Sequence, residues 1–172
     1  MGIRWIENVA WDDVKNGWHS DLGENCMLIQ IMDPPGNFPT PKKQFKEVHQ
    51  FDFLDIEDTD VKNNPDWEEA AINDEQAAEL VRLLQHALDN SMNVLVHCFA
   101  GVCRSGAVVE VGTLLGFTAT DRYRQPNLRV KHKMMRKLGM YYDENEESKG
   151  TGGSLSAGGI LIPFGGDFGV KN

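Results

Sequence analysis

The hydrophobic positions of the chain follow two periodicities, and together they predict a mixture of strands and helices. Short apolar or alternating runs, which are typical of β-strands, occupy residues 3–10, 26–33, 48–54 and 93–96. Over residues 74–89 the apolar positions instead recur three and four residues apart, which is the spacing of a helix with one buried face. The chain is therefore expected to place this helix between its last two strands.

Two further helices complete the predicted arrangement. One starts near Arg104, and the other covers residues 127–138. The helix at 74–89 has a capping box at its start, because Asn73 is followed three positions later by Gln76. Helices that alternate with short apolar strands favour an α/β fold, so we expect a central, mostly parallel sheet of about four to five strands flanked by helices.

The predicted elements all lie within residues 1–148, which we interpret as one domain. Residues 149–172 are rich in glycine, and the entropy that glycine loses on folding opposes a cooperative structure there, so we predict a flexible tail. Within that tail, residues 160–164 are apolar enough to dock as a short edge segment. The acidic residues 55–66 contain an Asn-Asn-Pro sequence and predict an exposed loop.

Composition narrows the classes of partner. The chain has 172 residues and a formal net charge of −9, which argues against nucleic acid or an anionic membrane as a partner, because both require a basic surface. It contains no apolar run long enough to cross a bilayer and no secretory signal. Its three cysteines form no metal-ligand spacing and fit reduced thiols in the cytoplasm. We expect a monomer without a metal or other cofactor.

The strand at 93–96 leads directly into a candidate anion site. Cys98 follows it at the carboxyl end of the strand, where open α/β sheets place their ligands. The backbone N–H groups of residues 99–103 can then converge ahead of the next helix, which is an arrangement that favours a dianion. Gly101 supplies the conformational freedom that such a turn needs.

Two side chains after this turn suit phosphoryl chemistry. Arg104 lies six residues after Cys98, and its planar guanidinium can hold two phosphoryl oxygens at once, as a lysine cannot. The same positive surroundings would stabilise the thiolate of Cys98. Ser105 can donate a hydrogen bond to that thiolate.

Cys103 has two interpretations, a packing residue beside the loop or a resolving thiol that forms a reversible disulfide with Cys98.

The segment HCFAGVCRSG, residues 97–106, resembles the active-site loop HCxxGxxR[ST]G of the protein tyrosine phosphatase superfamily, and its surroundings resemble the small dual-specificity branch. The resemblance implies that residues 1–148 are a catalytic domain in which Cys98 attacks phosphorus and Arg104 binds the phosphoryl oxygens. Water would then hydrolyse the phosphocysteine, and no metal would be required. His97 would orient the loop. The substrate-binding residues that the resemblance implies are His97, Phe99, Ala100, Gly101, Val102, Cys103 and Arg104.

The family also uses an aspartate as general acid, and here several candidates compete. Asp55 ends the pattern Phe-Asp-Phe-Leu-Asp, which resembles the family's approach to its acid. Asp58 follows closely, and Asp60 remains open. Asp66 has the family-like separation from the cysteine but lacks a preceding strand. A carboxylic acid is valuable at this point because negative charge develops on the leaving oxygen.

The interior of the loop indicates the substrate class. It holds no lysine or arginine, whereas relatives that hydrolyse inositol phospholipids carry basic residues there. We therefore expect phosphorylated protein as the substrate, with phosphotyrosine and also phosphoserine or phosphothreonine as targets. The basic segment 121–138 is interpreted either as a solvated helix face or as a docking surface, and residues 124–127 could brace the loop. Two alternatives remain, namely a phosphate-binding module that does not turn over its partner and a rhodanese-like cysteine enzyme.

Overall fold

The computed structural model describes residues 2–141 and 162–163. At its centre is a five-stranded sheet with the order β3-β2-β4-β1-β5, in which every neighbouring pair is parallel. The predicted fold class is confirmed, and the four strands expected from the hydrophobic pattern lie within two residues of their predicted bounds. The strands are β1 (Trp5–Ala10), β2 (Cys26–Met32), β3 (Glu47–Asp52), β4 (Asn93–Cys98) and β5 (Thr118–Ala119).

Helices occupy the connections between these strands except the one from β2 to β3, and α5 follows β5. The predicted capping box of α3 forms, because Gln76 N–H donates to Asn73 Oδ1 at 2.8 Å and Asn73 N–H donates to Gln76 Oε1 at 3.0 Å. In the part of the chain that the structure describes, no helix has the length and apolar character needed to cross a bilayer. The helices are α1 (Trp11–Asn16), α2 (Asp58–Asn63), a 3-10 helix (Pro65–Ala70), α3 (Asp74–Asp89), α4 (Arg104–Leu115) and α5 (Leu128–Lys137).

The two faces of the sheet are covered unequally. Helices α3, α4 and α5 pack with one face and form the larger core. Every residue of α4 from Arg104 to Gly112 is buried, so this helix lies in the middle of the molecule. The start of α4 is thereby held rigidly next to the end of β4. The opposite face carries a smaller cluster with α1, made of Val9, Val14, Cys26, Leu28 and Leu95.

The acidic stretch 55–66 is largely exposed, as predicted, but the prediction that it forms a loop is wrong. It contains all of α2 and the start of the 3-10 helix. The segment is ordered by the amino end of α5, since the Glu57 carboxylate accepts hydrogen bonds from the N–H groups of Leu128 and Arg129 at 3.0 and 3.2 Å. These hydrogen bonds join residues more than seventy positions apart in the chain. They order the segment although α2 has no buried apolar face, which is the feature by which a helix is usually predicted.

The predicted tail, residues 149–172, lies outside the described residues except at positions 162 and 163. There β7 (Ile162–Pro163) pairs antiparallel with β6 (Met140–Tyr141). These two residues are also the part of the predicted docking segment 160–164 that the structure describes. The boundary after residue 148 stays a prediction.

The basic segment 121–138 is not simply a solvated helix face. Arg129 and Lys131 are buried, which corrects that interpretation for both residues. Several cations of the segment lie between 2.7 and 3.8 Å from carboxylates elsewhere in the chain, so their charge is neutralised internally rather than offered as a docking surface. These cations are Arg122, Arg124, Arg129, Lys131 and Lys133.

Candidate active site

The loop after β4 lies at the carboxyl edge of the sheet, between two parallel neighbours. Cys98 is the last residue of β4 and pairs in register with Ala10 of β1, while His97 pairs with Gln30 of β2. The segments that follow β1 and β2 therefore leave the sheet on either side of the loop. We call residues 98–104 the phosphate loop.

Neighbouring segments bind the phosphate loop from outside through its carbonyl oxygens. Because a trans peptide points its C=O and the following N–H in opposite directions, the N–H groups after these carbonyls face away from the partners and toward the inside of the loop. This orientation is the one that the predicted anion site requires. Four hydrogen bonds of this kind form. Trp11 N–H donates to Phe99 O at 3.1 Å, and Asn8 Nδ2 donates to Gly101 O at 2.8 Å. Gln125 N–H donates to Val102 O at 3.2 Å, and Asn127 N–H donates to Cys103 O at 3.0 Å.

The Cys98 sulfur is held by contacts within the phosphate loop and from the first turn of α4. Cys98 is 2% exposed, and its Sγ accepts a hydrogen bond from Gly101 N–H at 3.3 Å. Ser105 Oγ lies 3.3 Å from the same sulfur. Both contacts suit a thiolate, because each places a donor on the atom that would carry the negative charge.

Gly101 is required by the backbone, and its substitution gives a test of the loop's packing. Its φ is +77°, and a Cβ there would lie 2.4 Å from the carbonyl carbon of Val9 in β1. We expect Gly101→Ala to lower the free energy of unfolding by about 2–5 kcal/mol, because left-handed strain and overpacking add. Gly116→Ala is the matched control, since φ is +122° there but nothing lies within 4 Å of the added carbon. Equal losses in denaturant unfolding would show that the close approach to Val9 does not matter.

The Arg104 guanidinium group is hydrogen-bonded through its Nη1 atom. Its Nη1 donates to Asp33 Oδ1 and to Phe53 O, both at 2.7 Å, while its Nε is buried and has no hydrogen-bond partner among the described residues. The anchored Nη1 leaves the Nε and Nη2 edge, which is the bidentate edge of an arginine, available to an oxyanion. Asp33 was not a candidate from the sequence, because it lies 71 residues from Arg104 and matches no motif.

His97 is fully buried on β4, and its Nδ1 lies 3.2 Å from the carbonyl oxygen of Cys98. Burial lowers the pKa of His97 from 6.5 to about 4; the nearby Arg104 charge acts in the same direction, while the hydrogen bond to Cys98 O opposes it. The imidazole is therefore neutral at physiological pH and positions the loop through its N–H.

The depressed pKa of His97 predicts a pH dependence of stability. Below pH 6.5 the unfolded chain binds a proton at this histidine that the folded chain does not bind until about pH 4, so stability is full above 6.5 and is lost as the pH falls toward 4. We expect this group to account for up to about 3 kcal/mol of that loss. In urea unfolding at several pH values, His97→Asn should flatten the decline between pH 6.5 and 4. An unchanged decline would contradict the assignment.

Cys103 lies beside both the nucleophile candidate and an acid candidate. Burial raises the pKa of the Cys103 thiol to about 11, and the Asp55 carboxylate and the Cys98 sulfur add to this rise. The thiol is therefore protonated at neutral pH. A role as resolving thiol stays a hypothesis.

The structure separates the acid candidates by their partners. Asp55 accepts a hydrogen bond from Asn127 Nδ2 at 2.7 Å, and the N–H of the same Asn127 donates to Cys103 O at 3.0 Å, so Asp55 lies next to the phosphate loop. Asp58 instead pairs with Arg129 at 2.8 Å, and Asp60 accepts from the N–H of Glu57 at the start of α2. Asp66 is part of the 3-10 helix.

Residues 124–127 brace the phosphate loop as predicted, through the N–H groups of Gln125 and Asn127. Asn8 and the side chain of Asn127 were missed by sequence reasoning. Asn8 is buried in β1, and its Nδ2 donates to the carbonyls of both Gly101 and Tyr123, at 2.8 and 3.0 Å. The available signal was a pair of polar residues, Glu7 and Asn8, in the middle of a strand whose other residues are apolar.

Comparisons with protein-family models and with curated proteins give no match. Among solved structures, the human tyrosine phosphatase-like serine/threonine/tyrosine-interacting protein is similar at 18% identity and a TM-score of 0.49, over 75% of this chain and 87% of that chain. OH1 from the Orf virus, a tyrosine phosphatase with triple substrate specificity, is 21% identical over 60% of this chain and 50% of that chain, with a TM-score of 0.38. Tk-PTP in its active form is 16% identical over 79% of this chain and 80% of that chain, with a TM-score of 0.41.

In this chain a parallel strand ends in a buried cysteine, and the loop that follows leads to an arginine at the start of a central helix. The HCFAGVCRSG motif, which resembles the active-site loop of the protein tyrosine phosphatase superfamily, occupies this loop.

Proposed function

We propose that the chain is a phosphatase that hydrolyses phosphate monoesters on proteins through a phosphocysteine intermediate. The observation that carries the proposal is a buried Cys98 sulfur at one end of the phosphate loop and, at the other end, a buried Arg104 Nε that has no hydrogen-bond partner among the described residues. A buried donor without a partner is costly, and a phosphoryl oxygen would satisfy it.

In the proposed reaction the Cys98 thiolate attacks phosphorus, forming an S–P bond as the ester P–O bond breaks. The leaving oxygen takes a proton from a carboxylic acid, which we assign to Asp55 because it adjoins the phosphate loop. Water then attacks phosphorus, Asp55 accepts its proton, and the S–P bond breaks to give inorganic phosphate. Ser105 stabilises the thiolate that is released in this second step.

Phosphorylated protein is the substrate class that the surroundings favour. The phosphate loop offers an exposed phenyl ring, since Phe99 is 64% exposed, and it carries no lysine beside the anion site. An aromatic ring at the rim suits the ring of phosphotyrosine. We extend the proposal to phosphoserine and phosphothreonine, as the resemblance to the dual-specificity branch implies. We also propose a cytoplasmic location and a monomer.

Turnover of p-nitrophenyl phosphate in the presence of a chelator tests the proposal. We expect the wild-type chain to release p-nitrophenolate and inorganic phosphate in equal amounts, with competitive inhibition by added phosphate. Binding of phosphate without any turnover would instead support a phosphate-recognition module. Sulfur transfer from thiosulfate to cyanide, with no phosphate release, would support a rhodanese-like enzyme.

A further inference from the structure

The side chain of Asn127 connects three parts of the molecule at one buried point. Asn127 is 1% exposed and caps α5, because its Oδ1 accepts from Val130 N–H at 2.9 Å. Its Nδ2 donates to Asp55 Oδ1 at 2.7 Å and to Ile56 O at 3.2 Å, and its own N–H donates to Cys103 O. One residue thus joins a helix terminus, the segment that carries the acid candidate, and the phosphate loop.

We propose that Asn127 is a positioning residue that holds Asp55 against the phosphate loop as the proton donor to the leaving group. The proposal rests on the proposed phosphatase function and assigns a residue to it that no motif identifies. Asn127 binds one carboxylate oxygen of Asp55, so the carboxyl group is fixed in orientation through that oxygen. The backbone around Asp55 is fixed as well, through Ile56 O.

The neighbouring contacts explain why Asp55 rather than Asp58 is held in this way. Phe53 O binds Arg104, so the segment that follows β3 already passes beside the phosphate loop before it reaches Asp55. Asp58 lies beyond that point and is engaged by Arg129, a buried cation of α5. The titratable groups that face Asp55 are Cys103 from the phosphate loop and Glu57 from its own segment.

Two variants separate positioning from capping. Asn127→Ser keeps a side-chain oxygen that can cap α5, but the shorter hydroxyl cannot reach Asp55. Asn127→Asp keeps both the shape and the cap, but it removes the Nδ2 donor and places a second carboxylate against Asp55. The matched control is Asn73→Ser, which changes the equivalent cap of α3 at an exposed site.

The readout is the dependence of kcat/KM on the leaving group, over aryl phosphates from p-nitrophenyl to phenyl phosphate. We expect Asn127→Ser to lower turnover of phenyl phosphate by about 10²-fold, as Asp55→Asn does, and to affect p-nitrophenyl phosphate much less. The double variant that combines Asn127→Ser with Asp55→Asn should lose no more turnover than either single variant, because both changes remove the same interaction. Asn73→Ser should behave as wild type.

Asn127→Asp adds a second, independent readout. Two carboxylates that share a site ionise less readily, so the alkaline limb of its pH–rate profile should move up by about one unit or more. Equal losses for all leaving groups, multiplicative losses in the double variant, or an unmoved alkaline limb would overturn the proposal. The wild-type protein distinguishes failure of this proposal from failure of the proposed function. If the wild type does not hydrolyse p-nitrophenyl phosphate, the phosphatase function itself is overturned.

Discussion

Replacing Cys98 with serine is expected to lower kcat for p-nitrophenyl phosphate by about 10⁴-fold or more, since removal of a catalytic nucleophile typically has an effect of that order. The hydroxyl of serine is not ionised at neutral pH and attacks phosphorus poorly, whereas the thiolate is the nucleophilic form of a cysteine. Binding should survive, because the N–H groups and the guanidinium remain. Initial rates, together with the Kd for inorganic phosphate, measure both expectations.

The matched control for this change is Cys26→Ser. Cys26 is also buried, but it begins β2, and burial raises the pKa of its thiol to about 12. It should retain turnover if it folds, which circular dichroism can verify. Comparable loss in both variants would mean that the Cys98 effect is a folding defect, and retained turnover in Cys98→Ser would remove the nucleophile from the mechanism.

Arg104→Lys is expected to lower kcat/KM by about 10³-fold, although the charge is preserved. A lysine ammonium is a point charge and cannot present two parallel N–H groups to the phosphoryl oxygens. It also cannot keep the contacts with Asp33 and Phe53 O while it reaches the anion. The loss should appear in kcat as well as in KM, because the guanidinium also orients the phosphoryl group in line between Cys98 and the leaving oxygen in the transition state.

Arg129→Lys serves as the control for this second prediction. Arg129 is another buried arginine, and it pairs with Asp58 and Glu68 rather than with the phosphate loop. Its replacement should lower the free energy of unfolding and leave most of the turnover intact. If Arg104→Lys kept near wild-type kcat/KM, bidentate recognition of the phosphoryl group would be wrong.

The parts of the structure that sequence reasoning predicted are those with a local cause. Helix α3 has its predicted bounds because its apolar stripe and the capping pair Asn73 and Gln76 all lie within one short stretch. The phosphate loop was predictable for the same reason, since β4, Gly101 and Arg104 follow one another directly in the chain.

The parts that sequence reasoning missed depend on distant partners. Asp33 contacts Arg104 across 71 positions, and Asn8 contacts Gly101 across 93. Neither contact leaves a periodic trace in the sequence. Helix α2 was mistaken for a loop because its order comes from Glu57 binding the start of α5 and not from an apolar face. Selection among the acidic residues likewise required the position of Asn127.

The most direct test of the phosphatase mechanism is to look for the covalent intermediate on Cys98. Wild-type protein mixed with p-nitrophenyl phosphate and quenched in acid within the first turnovers can be digested and analysed by mass spectrometry. We expect one phosphoryl group on the peptide that contains Cys98, absent from Cys98→Ser and longer-lived in Asp55→Asn. Turnover of the substrate with an unmodified Cys98 peptide at every quench time, or a phosphoryl group on another residue that persists in Cys98→Ser, would contradict the mechanism.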